Sequence, residues 1–555
     1  MLIALGFIPQ GDVRLNFTFI RSLRLALAGV TLALSVSAIA QEKKPEAQPG
    51  TAQQKSSEPE RENPDARSHE PGNEGDHAAV NKPVPPETTS VTHHEMSLNG
   101  QAIHYTATAG NLIIKDEQEK PYGSIFYVAY TQDGADTRTR PVTFLYNGGP
   151  GSATLWLHMG SVGPVRVLTD SPRPTVGPPF QVVPNKDSLL DKSDLVFIDA
   201  PMAGFSRAVG KATAKDFAGV DQDIRAFDRF IMRWVTVNQR WNSPKYLMGE
   251  SYGTTRSAGL VAALNSDGLQ FNGVILVSSI LNYNRRAPQL DVDYINNFPS
   301  FAAIAFYHHK VKATGDIRAW VQSAREFARG PYADALAQGD ALSAADFDAM
   351  AQRVSDFTGL SVQYLHEANL RVDPSRFRKE LLRDQHKILG RYDARFEATD
   401  EDAAGDRPTF DPSSTGITGA FVAAFHDYLQ RDLKYTSQET YYPSAPGVNQ
   451  LWDFKHRPAN ANGPNSEQMV VAVAGDIGDT IRKNPGLRIF SANGFYDLAT
   501  PFFSTEWDLK HLNLEPNLRG NIQFGYYEGG HMMYLNPDAL SALKADLARF
   551  YAQGK

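Results

Sequence analysis

The chain contains no cysteine, which excludes disulfides, thiolate metal sites and a lipidated-cysteine anchor. Surplus positive charge is missing too: 55 Lys and Arg stand against 62 Asp and Glu, a net charge of -7, so nothing attracts a nucleic acid backbone. There is no H-E-x-x-H, and the adjacent His308 and His309 do not have metal-ligand spacing. The glycines of "AVGKATAK" do not make a phosphate-binding loop, because Phe205 stands where that spacing needs glycine. No internal repeat is present. A metal or nucleotide enzyme is therefore disfavoured, and neither cofactor nor metal is called for.

What is there is long enough for a large core: 555 residues, 42% of them hydrophobic. Arg21 and Arg24 precede the apolar run "LALAGVTLALSVSAIA", which ends in small residues before Gln41, the order of a secretory signal. Residues 1–40 are expected to be a signal peptide that leaves no membrane span once removed, so that the protein is periplasmic or secreted. The stretch before Arg21 is long for such a signal, which points to a true start further downstream. Residues 41–94, rich in Pro, Glu, Gln and Ser, bury too little to offset their ordering entropy and read as a disordered linker.

Strand signals then follow closely: "QAIHYTATAG", "NLIIKD", "GSIFYVAYT", "PVTFLYN" and "SDLVFIDAP". A helical stretch over 216–234, the strand of "PKYLMGESYG", a helix over 254–264 and the strand "FNGVILVSS" give the alternation of a mostly parallel sheet flanked by helices. Residues 95–282 thus read as the first part of an α/β core. Residues 283–445 break the rhythm with helix-rich segments such as "DIRAWVQSAREFARG" and "FRKELLRDQHKILGRYDARF", as a helical cap would. In 446–555 the strands "GLRIFSANG" and "NIQFGYYEGG" and a closing amphipathic helix complete the core.

The chemistry gathers at strand ends. Gly249-Glu250-Ser251-Tyr252-Gly253 fits G-x-S-x-G between a strand and a helix, the context in which small neighbours allow a strained turn that exposes a serine hydroxyl. A nucleophilic serine needs a base, and the base an orienting carboxylate. Asp497, after "LRIFS", and His531, after "NIQFGY" and between "GG" and "MM", supply them in the order Ser, Asp, His. "NGGPGS", running from Asn147 to Ser152 directly after a strand, strips the backbone of side chains where an oxyanion would need N–H donors. Gly149 and Tyr252 are the expected donors; a tight turn alone is the plainer reading of any one of these glycines. His158, Trp156 and Met532 lie beside these motifs and fit either a pocket wall or the core.

Taken in order, "FLYNGGPGS", "LVFIDAPMAGFS", "KYLMGESYG", "NGVILVSS", "YDLATP" and "GGHMMY" resemble the serine carboxypeptidase family, most closely its bacterial exported branch. The resemblance implies an α/β-hydrolase fold with a mostly parallel central sheet and a helical cap insertion. It implies an enzyme that releases C-terminal amino acids through an acyl-enzyme, with Ser251, Asp497 and His531 as triad and peptides with a free C-terminus as substrates. In that family the residues matching Asn147 and Glu250 hydrogen-bond the substrate's terminal carboxylate, so one carboxyl of the pair must carry a proton and mild acid should favour activity. Ser152 stands where eukaryotic members carry a disulfide cysteine, Leu145 where Trp is common, and Thr254-Thr255 where glycine and a bulky residue are frequent. An esterase or acyltransferase on the same fold is the alternative, and a non-catalytic periplasmic binding protein a more distant one.

Overall fold

In the computed structural model, residues 81–554 are described except 288, 462, 464 and 465, all within the unit Pro64–Lys555. The expected signal segment and most of the expected linker lie outside the described residues.

A ten-stranded sheet organises the chain. Nine strands follow one another across it as Thr89–Leu98, Gln101–Lys115, Pro121–Gln132, Asp194–Ile198, Val142–Tyr146, Lys245–Glu250, Gly273–Val277, Arg488–Gly494 and Ile522–Tyr527; Arg207–Ala208 pairs with the third. The first three pair antiparallel, and the six from Asp194–Ile198 onward are mutually parallel. Val142–Tyr146 and Gly273–Val277 are buried at every position, which explains why they are apolar throughout except for the hydrogen-bonded Thr143: a covered parallel strand has no wet face to make polar. Helices Val220–Val237, Tyr252–Ser266 and Ala474–Lys483 pack together beside the sheet, and the last helix, Pro537–Gln553, packs on Ile522–Tyr527. This is the α/β-hydrolase arrangement, in which parallel strands deliver loops to one sheet edge.

Between the two halves of the sheet, helices Val292–Tyr307, Ile317–Phe327, Ala344–Thr358 and Pro374–Glu380 build a second apolar core around Phe298, Phe301, Val321, Phe327 and Phe377. Local chemistry delimits them: Ser343 accepts the Asp346 N–H at the start of Ala344–Thr358, and Gly359 closes it in the left-handed region with φ 70°. Helix Thr418–Arg431, by contrast, gives Phe421, Phe425 and Tyr428 to the core of the sheet. The second core also takes in Phe495, Tyr496, Leu498 and Phe502 from the far half of the chain. The inserted helices therefore share a core with the loop that carries Asp497.

Three local expectations change. The linker was expected to reach residue 94, but a strand begins at Thr89, because Thr, Val and His at 89–94 find a complete antiparallel partner in Gln101–Lys115. Glu87 already belongs to this order, accepting the Ile113 N–H. "QAIHYTATAG" and "NLIIKD" are one strand of 15 residues rather than two. The helix expected through "FRKELLRDQHKILG" stops at Glu380; His386, at φ 55°, turns the chain into a short strand, Lys387–Leu389, paired with Glu397–Thr399.

Candidate active site

Five neighbouring parallel strands, Val142–Tyr146, Lys245–Glu250, Gly273–Val277, Arg488–Gly494 and Ile522–Tyr527, end at the site. Ser251 follows Lys245–Glu250 directly, at φ 59° and ψ -131°, and starts the helix Tyr252–Ser266. Such a conformation is costly for a residue with a Cβ and persists only where its surroundings impose it. The imposition is visible at Gly249, where a Cβ would lie 2.2 Å from the Gly253 carbonyl oxygen and 2.5 Å from Ser257 Oγ. Strand and helix thus cross too closely for any side chain there. The Ser251 N–H donates to the Val277 carbonyl at 3.0 Å, and the next residue, Ser278, donates its hydroxyl to the His531 carbonyl at 2.6 Å. One two-residue stretch thereby holds both Ser251 and His531.

His531 Nδ1 is 2.8 Å from Asp497 Oδ2. A carboxylate can only accept, so Nδ1 carries the proton and Nε2 keeps its lone pair. Nε2 is buried and has no hydrogen-bond partner among the described residues. Asp497 Oδ1 accepts the N–H groups of Ala499 and Thr500 at 2.8 and 3.0 Å, and Thr500 Oγ1 lies 2.7 Å from Oδ2. Burial alone would raise the Asp497 pKa, but the facing imidazole and these donors outweigh it and hold it below the ordinary carboxylate value. Burial likewise works to lower His531, yet the charge and hydrogen bond of Asp497, joined by Glu250, hold it above its ordinary value. The inserted segment braces both loops: the Tyr392 carbonyl accepts the His531 N–H, the Arg391 carbonyl accepts the Leu498 N–H, and Ala394 N–H donates to the Tyr496 carbonyl.

The glycine loop after Val142–Tyr146 lies against the start of the same helix. A Cβ on Gly148 would be 2.4 Å from Tyr252 N, and Gly149 sits at φ 104°, where glycine alone is comfortable. The amides of Gly149 and Tyr252 donate to no acceptor among the described residues, which leaves two N–H groups for an incoming oxygen. Ser152, at the position where the resemblance would put a cysteine, forms an antiparallel bridge with Ser444, and the flanking bonds Ala153 N–H to Pro443 O and Ala445 N–H to Gly151 O tie the loop down.

Asn147 and Glu250 meet directly: Asn147 Nδ2 donates to Glu250 Oε1 at 2.7 Å, while Asn147 Oδ1 accepts the Leu157 N–H. Both are buried. Burial, opposed by His531, Tyr534 and Asn147 and assisted by Asp497, raises Glu250 to about 7. A carboxyl group that titrates near neutrality keeps its proton in mild acid and can donate a hydrogen bond through it to another carboxylate.

All seven expected residues are thus gathered around one strand edge. The residues beside the motifs divide. His158 is a core residue, 2.6 Å from Tyr130 Oη and stacked on Phe197, while Trp156 and Met532 are half-buried. Leu145 and Tyr146 are wholly buried and form no pocket wall. Thr254 and Thr255 bond the helix start to the Ile280 backbone. Sequence reasoning missed three supporting residues. Thr500 lies three positions after Asp497 and Tyr534 three after His531, inside the motifs already quoted, and that proximity was the available signal. Arg256, one turn into the helix, is paired with Asp223 and donates to the Asn147 carbonyl at 2.8 Å. Nothing in its sequence context separates it from a surface arginine.

The fold is of the α/β-hydrolase class, and the constellation has the residue types that a serine hydrolase requires. The serine carboxypeptidase family model matches residues 100–296. The span holds Asn147, Gly149, Glu250, Ser251 and Tyr252; Asp497 and His531 lie beyond it. No curated protein matches the chain. Similar solved structures include the prohormone-processing carboxypeptidase Kex1(Δ)p of Saccharomyces cerevisiae, at 14% identity and TM-score 0.48 over 80% of this chain and 91% of that one. Proline iminopeptidase of Mycobacterium smegmatis, at 12% identity and TM-score 0.35, covers 80% of this chain and 98% of its own. A carboxyl esterase of Bacillus coagulans, at 10% and 0.33, covers 80% and 97%.

Proposed function

We propose that this protein is an exported serine carboxypeptidase that releases single amino acids from peptides with a free C-terminus, more readily in mild acid than at neutrality. The observation that carries the reading is the buried Asn147–Glu250 pair, one residue from Ser251, with Glu250 raised to about 7. A general esterase has no use for a neutral carboxyl group beside an amide at that place, whereas a site that grips a terminal carboxylate needs both.

In the proposed reaction His531 Nε2 takes the proton of Ser251 Oγ as that oxygen attacks the last peptide carbonyl. Asp497 keeps the imidazole oriented and stabilises its charge. The developing oxyanion is held by the amides of Gly149 and Tyr252. The C–N bond then breaks, the leaving amino group takes the proton from His531, and the acyl group stays on Ser251 Oγ. Water, deprotonated by the same Nε2, hydrolyses the ester and restores the serine. Asn147 and protonated Glu250 hold the departing residue's carboxylate through the first half. The expected signal segment, outside the described residues, would deliver the enzyme to the periplasm or beyond; no helix among the described residues is long and apolar enough to cross a membrane.

The test compares an N-blocked dipeptide, its C-terminal amide and a simple ester, at about pH 5 and about pH 7, with the wild type and Ser251→Ala, Glu250→Gln and Asn147→Ala variants. Ser251-dependent cleavage that favours the free acid at the lower pH, and that Glu250→Gln and Asn147→Ala damage selectively, supports the proposal. Cleavage of the ester alone, with all substrates equally affected by those two variants, overturns it in favour of an esterase.

A further inference from the structure

Glu250 has a second partner that neither the triad nor the oxyanion loop requires. Tyr534, fully buried in the turn Met533–Leu535 just past His531, donates its hydroxyl to Glu250 Oε2 at 2.6 Å, opposite the Asn147 bond to Oε1. The carboxyl group is thus held at both oxygens by side chains from two other strand ends. The slot for the ring is shaped to admit it. A Cβ on Gly160 would lie 2.7 Å from Tyr534 Cε2, so the helix Leu155–Gly160 ends in the one residue that leaves the ring its place. A phenylalanine would fill that slot equally well and leave Oε2 without its donor. The hydroxyl therefore serves Glu250, not packing.

We propose that Tyr534 is a positioning residue of the carboxylate-reading site: its hydroxyl fixes the Glu250 carboxyl group and sets the pH range over which the site accepts a free-acid peptide. This rests on the carboxypeptidase reading. The groups facing Glu250 are Asn147 at the end of Val142–Tyr146, Asp497 in the loop after Arg488–Gly494, and His531 and Tyr534 in the loop after Ile522–Tyr527. Among them Asn147 and Tyr534 are the neutral donors that favour the ionised form and take no part in the triad, and of the two only Tyr534 has no proposed contact with the substrate's carboxylate. With its hydroxyl removed, Glu250 keeps its proton to higher pH, and with it the capacity to bind a carboxylate.

The experiment measures kcat/KM for an N-blocked dipeptide and for a simple ester from about pH 4.5 to about pH 8.5, in the wild type, Tyr534→Phe, Gly160→Ala, Glu250→Gln and the Tyr534→Phe/Glu250→Gln double variant. The ratio of free acid to ester should fall with rising pH in the wild type, and in Tyr534→Phe that fall should move upward by about one pH unit, the size of one lost hydrogen bond to a carboxylate. Gly160→Ala, which displaces the ring but keeps the hydroxyl, should move it the same way and carries the test if Tyr534→Phe does not fold. In the Glu250→Gln background, removal of the hydroxyl should leave the ratio's pH profile in place. A limb that stays at the wild-type pH in both single variants, or an equal loss on both substrates, overturns the role of Tyr534 alone. A wild type without preference for the free acid overturns the carboxypeptidase reading and this inference with it.

Discussion

Gly148 touches the Tyr252 amide so closely that a Cβ on it would sit 2.4 Å from that nitrogen and 2.5 Å from the nitrogen of Gly253. The contact fixes the spacing between the glycine loop and the helix behind the nucleophile, and hence the separation of the two proposed oxyanion donors. Backbone atoms on both sides leave no flexible side chain to give way.

Gly148→Ala should therefore act on catalysis more than on the fold. Overpacking at one site costs about 1–3 kcal/mol, while misplacing an oxyanion donor costs about 10² to 10³ in turnover. Measuring kcat on a simple ester alongside the thermal midpoint checks this: kcat near wild type with a lowered midpoint would remove Gly148 from the catalytic geometry.

Ser251, Asp497 and His531 could be singled out because each is announced by a local pattern: a strand, then glycines or a turn, then the side chain in question. Ser251 stands between Gly249 and Gly253, which the strand–helix crossing makes necessary. What supports these residues was hidden because it comes from far away in sequence. Asp497 is braced by a core assembled from helices around residues 292–380, and His531 by the carbonyl of Tyr392, and no periodicity records such a meeting. The helical reading of "FRKELLRDQHKILG" failed because charges at helical spacing continue past the point where His386 turns left-handed. The strand from Thr89 reads as linker because its polar face resembles one, and only pairing with Gln101–Lys115 distinguishes them.

Glu250 and His531 influence one another, and the sign is testable. The Glu250 charge is among the groups that raise His531. Glu250→Gln removes that charge, so His531 should lose its proton at lower pH and remain a competent base further into the acid range. On an ester, which has no terminal carboxylate to read, the acid limb of kcat/KM should move downward in Glu250→Gln, while free-acid peptide turnover falls. A stationary or raised ester limb would contradict the coupling.

Arg256 joins the helix Tyr252–Ser266 to the loop after Val142–Tyr146. It is fully buried, donates to both oxygens of Asp223 at 2.7 and 3.1 Å, lies 4.0 Å from the Phe227 ring centre and donates to the Asn147 carbonyl. Arg256→Met leaves Asp223 buried without its cation, which costs about 3–5 kcal/mol. Replacing Asp223 as well, by an apolar residue, should restore much of that loss, because the pair's attraction is largely offset by its own desolvation. Urea unfolding of the two single variants and the double variant measures the coupling; additive losses would mean that the pair does not act as a unit.

His456 provides a pH-dependent clamp away from the site. Its Nδ1 lies 2.6 Å from Asp221 Oδ1 in the helix Val220–Val237, and its Nε2 lies 3.1 Å from Asp476 Oδ2 in Ala474–Lys483. Burial would push the imidazole down, but the hydrogen bonds and charges of the two carboxylates outweigh it and carry it up to about 9. A group whose folded pKa lies above its unfolded value stabilises fully below the unfolded one, about 6.5, and loses that contribution as pH rises through the folded value. His456→Asn should thus cost on the order of 1–3 kcal/mol at about pH 6, and the gap to wild type should narrow toward about pH 10. Chemical denaturation at both values tests it; a gap that is constant or widens with pH would mean that the imidazole is not held protonated between the two helices.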